Sequence, residues 1–190
     1  MRKRAKTTSA ILISAAFVAG TCWAKGTPGK GGLPEADAAH SHVPVVRAYV
    51  MNGLLGDLFT SAMSQIGEKL RARGAIVEVG SWTQEASFVA DACVHRQDHV
   101  VFIGHSLGAV AAAVAVREAR ACGVRYLSMV GIDPPSVGAT VPDGTHAINF
   151  VGALNASIAG AQNVPVPGLG HIAIINDPAM QRRIVAAALR

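Results

Sequence analysis

The segment VVFIGHSLGAVAAAVAV, residues 100–116, places a serine between two glycines at a break in an apolar run. The first half is β-branched and typical of a buried strand, whereas the second half is alanine-rich and typical of a helix. Gly104 and Gly108 relieve crowding at a direct strand-to-helix turn, so Ser106 is held at its tip beside the helix N-terminus. A serine in this G-x-S-x-G pattern can act as a nucleophile in acyl transfer. The alternative is a glycine-rich turn with an incidental serine.

A serine hydroxyl needs a base to remove its proton, and the base in turn needs a carboxylate. Enzymes with this turn supply the three groups in the chain order Ser, Asp or Glu, His. Two histidines follow Ser106, and His146 begins a predicted strand at the opposite edge of the sheet. His171 lies in a Gly/Pro loop that precedes the last predicted helix. The order and position predict His171 as the base.

Three carboxylates lie between the serine and that histidine. Glu118 falls inside a predicted helix, and Asp143 lies in the sequence PDG, which is typical of a turn. Asp133 directly follows a predicted strand and precedes two prolines, which places it at the carboxyl edge of the sheet. Asp133 is therefore the predicted acid. A strand-end aspartate that only caps a turn is the alternative.

An oxyanion formed at the serine would need two backbone N–H donors. The N–H of Leu107, directly after the serine, is the first predicted donor. The second comes from the glycine-containing loop MNGLLGD after the first strand, with Leu54 preferred and Leu55 as the alternative. Apolar residues in the loops around the site, among them Leu55, Phe59 and Leu169, are predicted substrate contacts. Some of these side chains could instead belong to the core.

Strands and helices alternate along the chain in the order that would position these residues. Because the predicted strands are continuously apolar, they favour an α/β fold with a mostly parallel sheet covered by helices on both faces. Strands are predicted over residues 45–51, 76–82, 99–105, 125–132 and 146–151, with a short one around Val164, and helices over 58–73, 84–95, 107–121 and 178–189.

The first 24 residues read as a secretory signal peptide. A basic start and a short apolar run precede a small-residue cleavage site. Four of the 17 Lys and Arg lie in this segment, which leaves the remaining chain close to neutral. Lipidation at Cys22 is the weaker alternative. Residues 25–42 are predicted to be a flexible linker and residues 43–190 the domain.

The sequence therefore predicts a secreted or periplasmic protein. The near-neutral domain gives no reason to expect a nucleic-acid partner or a stable membrane anchor. His40 and His42 of the linker would make at best a loose metal site, and neither a metal nor another cofactor is predicted. Two cysteines of the domain, Cys93 and Cys122, fall late in two helices that end at the same sheet edge. In an oxidising compartment they are predicted to form a disulfide, with two buried thiols as the alternative.

These residues together resemble the α/β-hydrolase family over the chain from about Val43 to its end. The resemblance lies in the sequences GHSLG at 104–108 and GIDP at 131–134, in Gly53 after the first strand, and in the pair GH at 170–171. It implies a small serine hydrolase that cleaves carboxylic esters or thioesters of small molecules through an acyl-serine intermediate. An acyltransferase with the same triad and a binding module without activity are the alternatives.

The chain departs from the family pattern at two places. Many members carry the acid after the following strand, where this sequence has VGALN at 151–155 and no carboxylate; the resemblance here is to a lipase-like arrangement with the acid one strand earlier. The loop that usually begins His-Gly begins with Asn52 and Gly53. Residues 134–145 and 152–170 are too rich in proline and glycine for a stable amphipathic helix, so no lid is predicted.

Overall fold

The computed structural model describes residues 45–54, 61–135 and 138–190, which contain a six-stranded sheet. The strand order is β2-β1-β3-β4-β5-β6, and every neighbouring pair is parallel. The carboxyl ends of all six strands therefore lie at one edge. The strands are β1 (Val46–Asn52), β2 (Ile76–Ser81), β3 (His99–His105), β4 (Tyr126–Ile132), β5 (His146–Val151) and β6 (Gln162–Pro165).

Helices cover both faces of this sheet, as the sequence predicts. Helices α1, α4 and α5 pack with one hydrophobic cluster, and α2 and α3 pack with the other. Side chains of the central strands alternate between the two clusters, so Ile103 belongs to the first and Phe102 to the second. The helices are α1 (Ala62–Arg71), α2 (Glu85–Val94), α3 (Leu107–Ala121), α4 (Ala173–Asn176) and α5 (Pro178–Ala188).

Side chains cap a turn or a helix at two of the observed element boundaries, and one of the two differs from the prediction. The second strand ends at Ser81, because the Ser81 hydroxyl and the Gln84 side chain form a capping box around a 3₁₀ turn over Trp82–Gln84. Asp177 begins α5 as predicted, and its carboxylate accepts a hydrogen bond of 2.7 Å from the Met180 N–H. The single-turn helix α4 was not predicted, since four residues are too few to show a period.

Several predictions fall on parts of the chain that the structure does not describe. The signal peptide (1–24), the linker (25–42) with His40 and His42, and the start of the first predicted helix all lie outside the described residues. Within those residues, no helix is long and apolar enough to cross a membrane. Residues 133–135 and 138–171 contain no helix.

A disulfide joins Cys93, near the end of α2, to Cys122, which follows α3. The predicted pairing is confirmed, with a Cα–Cα distance of 5.8 Å. Both helices lead back to the edge at which the next strand begins, so this bond lies away from the carboxyl edge. It ties together the two helices that cover one face of the sheet.

Removing this disulfide is expected to lower stability and leave any activity at the carboxyl edge unchanged. The two cysteines are 29 positions apart, and a closed loop of that length stabilises a fold by about 3.5 kcal/mol through the lost entropy of the unfolded chain. Urea unfolding of Cys93→Ala/Cys122→Ala measures the change in the free energy of unfolding. An unchanged midpoint, or two alkylatable thiols in the unreduced wild-type protein, would contradict the assignment.

Candidate active site

The turn between β3 and α3 holds Ser106 in a strained backbone conformation. Its φ is 57° and its ψ is −125°, values that residues other than glycine rarely adopt. The flanking glycines are required by packing, since a Cβ at Gly104 would lie 2.0 Å from the Gly108 carbonyl oxygen. A Cβ at Gly108 would lie 2.2 Å from the carbonyl oxygen of Met51. The turn thus presents the serine at the carboxyl edge of the sheet.

Two of the predicted residues are in direct contact. The Nδ1 atom of His171 lies 2.7 Å from Oδ2 of Asp133, whose side chain is completely buried. The other carboxylate oxygen, Oδ1, accepts hydrogen bonds from the backbone N–H groups of Gly152 at 2.9 Å and Leu154 at 3.0 Å. Because a carboxylate only accepts hydrogen bonds, Nδ1 carries the proton and Nε2 is the basic nitrogen of the neutral imidazole.

The loop after β5 supplies those two donors. Gly152 has no room for a side chain, because a Cβ there would lie 2.8 Å from Cγ of Asp133. Asp133 itself has a positive φ of 44°, and its own N–H donates to the carbonyl of Phe150 at 2.8 Å. The carboxylate that follows β4 is therefore held in place by backbone donors of the loop that follows β5. Sequence reasoning missed both donors.

The loop after β1 packs directly against the serine. A Cβ at Gly53 would lie 2.7 Å from Cβ and 3.3 Å from Oγ of Ser106, so only glycine allows this approach. Leu54 follows with an exposed side chain. Leu107 is the first residue of α3, where a helix leaves its N–H groups without intrahelical partners. The N–H groups of Leu54 and Leu107 stay the predicted oxyanion donors.

Only one of the three predicted substrate contacts lies among the described residues. Leu55 and Phe59 lie outside them. Leu169 is half-buried, and it packs against the hydrophobic cluster under α1, α4 and α5, two residues before the predicted base. In the part of the chain that the structure describes, no three His, Cys, Asp or Glu side chains are grouped in a way that could hold a metal ion.

His105, the residue before the serine, contacts the predicted base twice. Its ring lies 4.4 Å from the ring of His171, centroid to centroid, and its Nε2 lies 2.9 Å from the backbone carbonyl of His171. Since a carbonyl only accepts, Nε2 of His105 carries a proton. Burial, followed by the charge of His171, lowers the pKa of His105 to about 4. His105 therefore stays neutral near pH 7 and fixes the loop of the base.

Replacing His105 with phenylalanine is expected to lower kcat by about tenfold with little change in KM, because a displaced base slows proton transfer more than binding. Phenylalanine keeps a ring against His171 and loses the hydrogen bond to its carbonyl. His105→Gln keeps an N–H donor and is expected to recover part of the loss. Equal kcat values for wild type and His105→Phe would show that the contact does not position the base.

Acid stability gives the same variants a second readout. The pKa of His105 in the fold is about 4, below its usual 6.5, so the unfolded chain binds the proton first. The stabilisation that depends on neutral His105 is fully present above pH 6.5, the pKa in the unfolded chain. It is lost as the pH falls from there toward 4, the pKa in the fold. Glutamine does not titrate, so the urea midpoint of His105→Gln should fall less than that of wild type in this window.

Comparison with known proteins supports the fold. No protein-family model matches the sequence, and a search of curated proteins finds no relative. Among solved structures, the chain is similar to a protein from Xanthomonas campestris pv. campestris that is provisionally described as a hydrolase of the alpha/beta superfamily. The two share 15% identity, the match covers 75% of this chain and 95% of that one, and the TM-score is 0.52. The chain has the α/β-hydrolase fold, as the sequence resemblance implies.

Proposed function

We propose that this protein is an exported serine hydrolase that cleaves carboxylic esters or thioesters of small molecules. The observation that carries the proposal is the hydrogen bond of 2.7 Å between His171 and the buried Asp133. It leaves a basic Nε2 on the histidine at the sheet edge where the strained turn presents Ser106. A histidine held in this way can take the proton of a serine hydroxyl that reaches its Nε2.

In the proposed reaction the Ser106 hydroxyl attacks the carbonyl carbon of the ester, and its proton passes to Nε2 of His171. The carbonyl oxygen becomes an oxyanion that accepts hydrogen bonds from the N–H groups of Leu107 and Leu54. Asp133 accepts a hydrogen bond from Nδ1–H of the histidine throughout, without taking its proton, and stabilises the positive charge of the imidazolium. Collapse of the tetrahedral intermediate breaks the bond to the alcohol or thiol, which leaves with the proton from Nε2.

Water then completes the cycle at the acyl-serine. The water oxygen attacks the acyl carbon while Nε2 of His171 takes a proton from the water. A second oxyanion forms and accepts hydrogen bonds from the same N–H groups of Leu107 and Leu54. Collapse breaks the bond to Ser106 Oγ, which recovers its proton from Nε2, and the carboxylic acid is released. Both half-reactions use the same residues, with the histidine alternating between base and acid.

Export is supported by two separate features of the chain. Residues 1–24 have the pattern of a signal peptide, and disulfides such as Cys93–Cys122 persist mainly in oxidising compartments. N-terminal sequencing of the exported protein tests this part of the proposal. A mature chain that begins near residue 25 is expected, and a chain that retains residue 1 would contradict it.

Covalent labelling tests the enzymatic proposal most directly. A fluorophosphonate probe phosphonylates an activated serine and expels fluoride, so the wild-type protein should gain one adduct on the peptide that contains Ser106. Absence of the adduct under conditions that preserve the fold would contradict a hydrolase and leave the binding module. Product analysis with an added alcohol then separates hydrolysis from transfer, since a transferase would form mainly a new ester.

A further inference from the structure

An open pocket of about 460 Å³ lies at the sheet edge opposite the proposed nucleophile. Its volume is within the range of ligand pockets. Strands β3, β4 and β5 begin at this pocket, and Ser106 lies about 20 Å away at the far end of β3, at the usual rise per residue. Nothing in the proposed chemistry uses the pocket. Its polar lining consists of His99, Arg120, Arg125, Tyr126, Ser128, His146 and Arg190.

The side chains that line this pocket bring positive charge together. Arg120 and Arg125 carry guanidinium groups, which stay charged at every pH at which the protein is folded. No Asp or Glu is among the described residues of the lining, and within the same part of the chain neither arginine forms a salt bridge. Like charges that share a pocket repel each other, and a bound anion offsets that repulsion. The charge of the lining therefore favours an anionic ligand.

Arg120 is held at the pocket by uncharged partners. It lies in the last turn of α3 and donates hydrogen bonds to the Asp143 backbone carbonyl at 2.7 Å and the Thr145 hydroxyl at 3.0 Å. These bonds orient the guanidinium, do not neutralise it, and leave other N–H groups available. The disulfide of Cys122 anchors the short segment between Arg120 and Arg125. Because this segment is already fixed, less entropy is lost when a ligand binds to it.

Two histidines and a buried serine line the pocket beside the arginines. Nε2 of His99 lies 2.8 Å from Oγ of Ser128, which is buried. His146 is exposed and is the partner of Ser128 in the register of β4 and β5. Burial, followed by the charge of His146, lowers the pKa of His99. The two imidazoles therefore lie close enough to repel each other when both are charged, and an anion beside them would be attracted by both.

We propose that this pocket binds the phosphate group of a small phosphate monoester. A monoester carries close to two negative charges near neutral pH and has three acceptor oxygens, so two guanidinium groups can donate to it at once. A carboxylate has one charge and two oxygens, which a single guanidinium can satisfy. The presence of both Arg120 and Arg125 therefore favours phosphate over carboxylate.

The pocket also has room for the organic part of such an ester. A phosphate group has five non-hydrogen atoms, whereas the pocket volume equals that of about fifteen water molecules. Tyr126 begins β4 beside His99 and is 57% exposed. An exposed aromatic ring offers a surface on which a flat group can stack. A phosphate ester of an aromatic alcohol therefore fits both the charge and the size of the pocket.

Calorimetric titration with phenyl phosphate tests the inference. A salt concentration of about 0.15 M NaCl screens the general attraction between exposed charges. We expect saturable one-to-one binding to the wild-type protein and at least about tenfold weaker binding to Arg125→Gln, the effect of losing a charge-assisted hydrogen bond. Arg120→Lys keeps the charge and loses the planar fork, so it should also bind more weakly.

A matched control separates this pocket from the surface charge of the protein. Arg182→Gln removes an exposed arginine of α5 that does not line the pocket, and it should bind phenyl phosphate as the wild type does. Ser106→Ala should also bind with wild-type affinity, so the result does not depend on the proposed hydrolase function.

Nuclear magnetic resonance places the ligand on the molecule. Phenyl phosphate should shift the ring signals of His99 and His146 and leave those of His171 unchanged. A shift of the His171 signals alone would place the ligand at the catalytic edge and overturn the inference. No saturable binding up to about 10 mM, equal affinities of wild type and Arg125→Gln, or benzoate binding as tight as that of phenyl phosphate would overturn it as well.

Vesicles distinguish two sources of the phosphate group. Phosphatidic acid in phosphatidylcholine vesicles presents the same phosphate monoester on a lipid headgroup. Co-sedimentation of the wild-type protein with these vesicles that Arg125→Gln abolishes would place the phosphate on a lipid. Any other result alongside binding of phenyl phosphate would place it on a soluble ester.

Discussion

Ser106→Ala should lower kcat for p-nitrophenyl butyrate by roughly 10⁴-fold or more, because no other group of the site can form the acyl intermediate. The fluorophosphonate adduct should disappear as well. The glycines that pack the turn are unchanged in this variant, and the serine side chain accepts no capping hydrogen bond from the helix. Its thermal unfolding should therefore stay close to that of wild type, which separates lost chemistry from lost structure.

His171→Ala is the partner of that experiment. Residues that act as one catalytic unit are strongly non-additive, so the double variant Ser106→Ala/His171→Ala should lose little more than either single variant. Ser64→Ala, at an exposed position of α1, is the matched control and should retain full activity. Substantial turnover in Ser106→Ala would show that another residue carries the reaction.

The parts of this fold that sequence predicts well are those that depend on local pattern. Residues 99–105, 107–121 and 146–151 form the predicted elements with the predicted boundaries. Each has a continuous apolar period and is bounded by glycine, proline or a charged turn. The roles of Gly104 and Gly108 could likewise be derived, because crowding at a strand-to-helix turn depends only on the residues of the turn.

The contacts that complete the site depend on which strands are neighbours, and the sequence pattern does not contain that information. The donors to Asp133, at Gly152 and Leu154, lie about 20 positions further along and reach it because β5 lies beside β4. His105 meets His171 from a position 66 residues away. In the sequence, only its residue type marks His105 as a possible site residue. Backbone N–H donors such as those of Gly152 and Leu154 are not marked by any residue type.

Asp133→Asn is expected to lower kcat by roughly 10⁴-fold, because it places the proton of the base on the wrong nitrogen. In the wild-type protein Oδ1 accepts two backbone N–H groups and Oδ2 accepts Nδ1–H of His171. An asparagine has one oxygen for these two positions. If the oxygen stays with the two backbone donors, its NH₂ faces Nδ1 of the histidine. That nitrogen must then accept, the proton moves to Nε2, and the imidazole can no longer take the proton of Ser106.

The opposite orientation of the amide is disfavoured, since it would point NH₂ at the N–H groups of Gly152 and Leu154 and leave buried donors without acceptors. The tautomer argument therefore follows from the two backbone bonds and predicts that kcat falls while fluorophosphonate labelling becomes slow rather than absent. Asp143→Asn changes the same residue type in an exposed turn and serves as the control. Near-normal turnover in Asp133→Asn together with an inactive Asp143→Asn would show that Asp143 is the acid of the triad. The hydrogen bond between Asp133 and His171 would then have only a structural role.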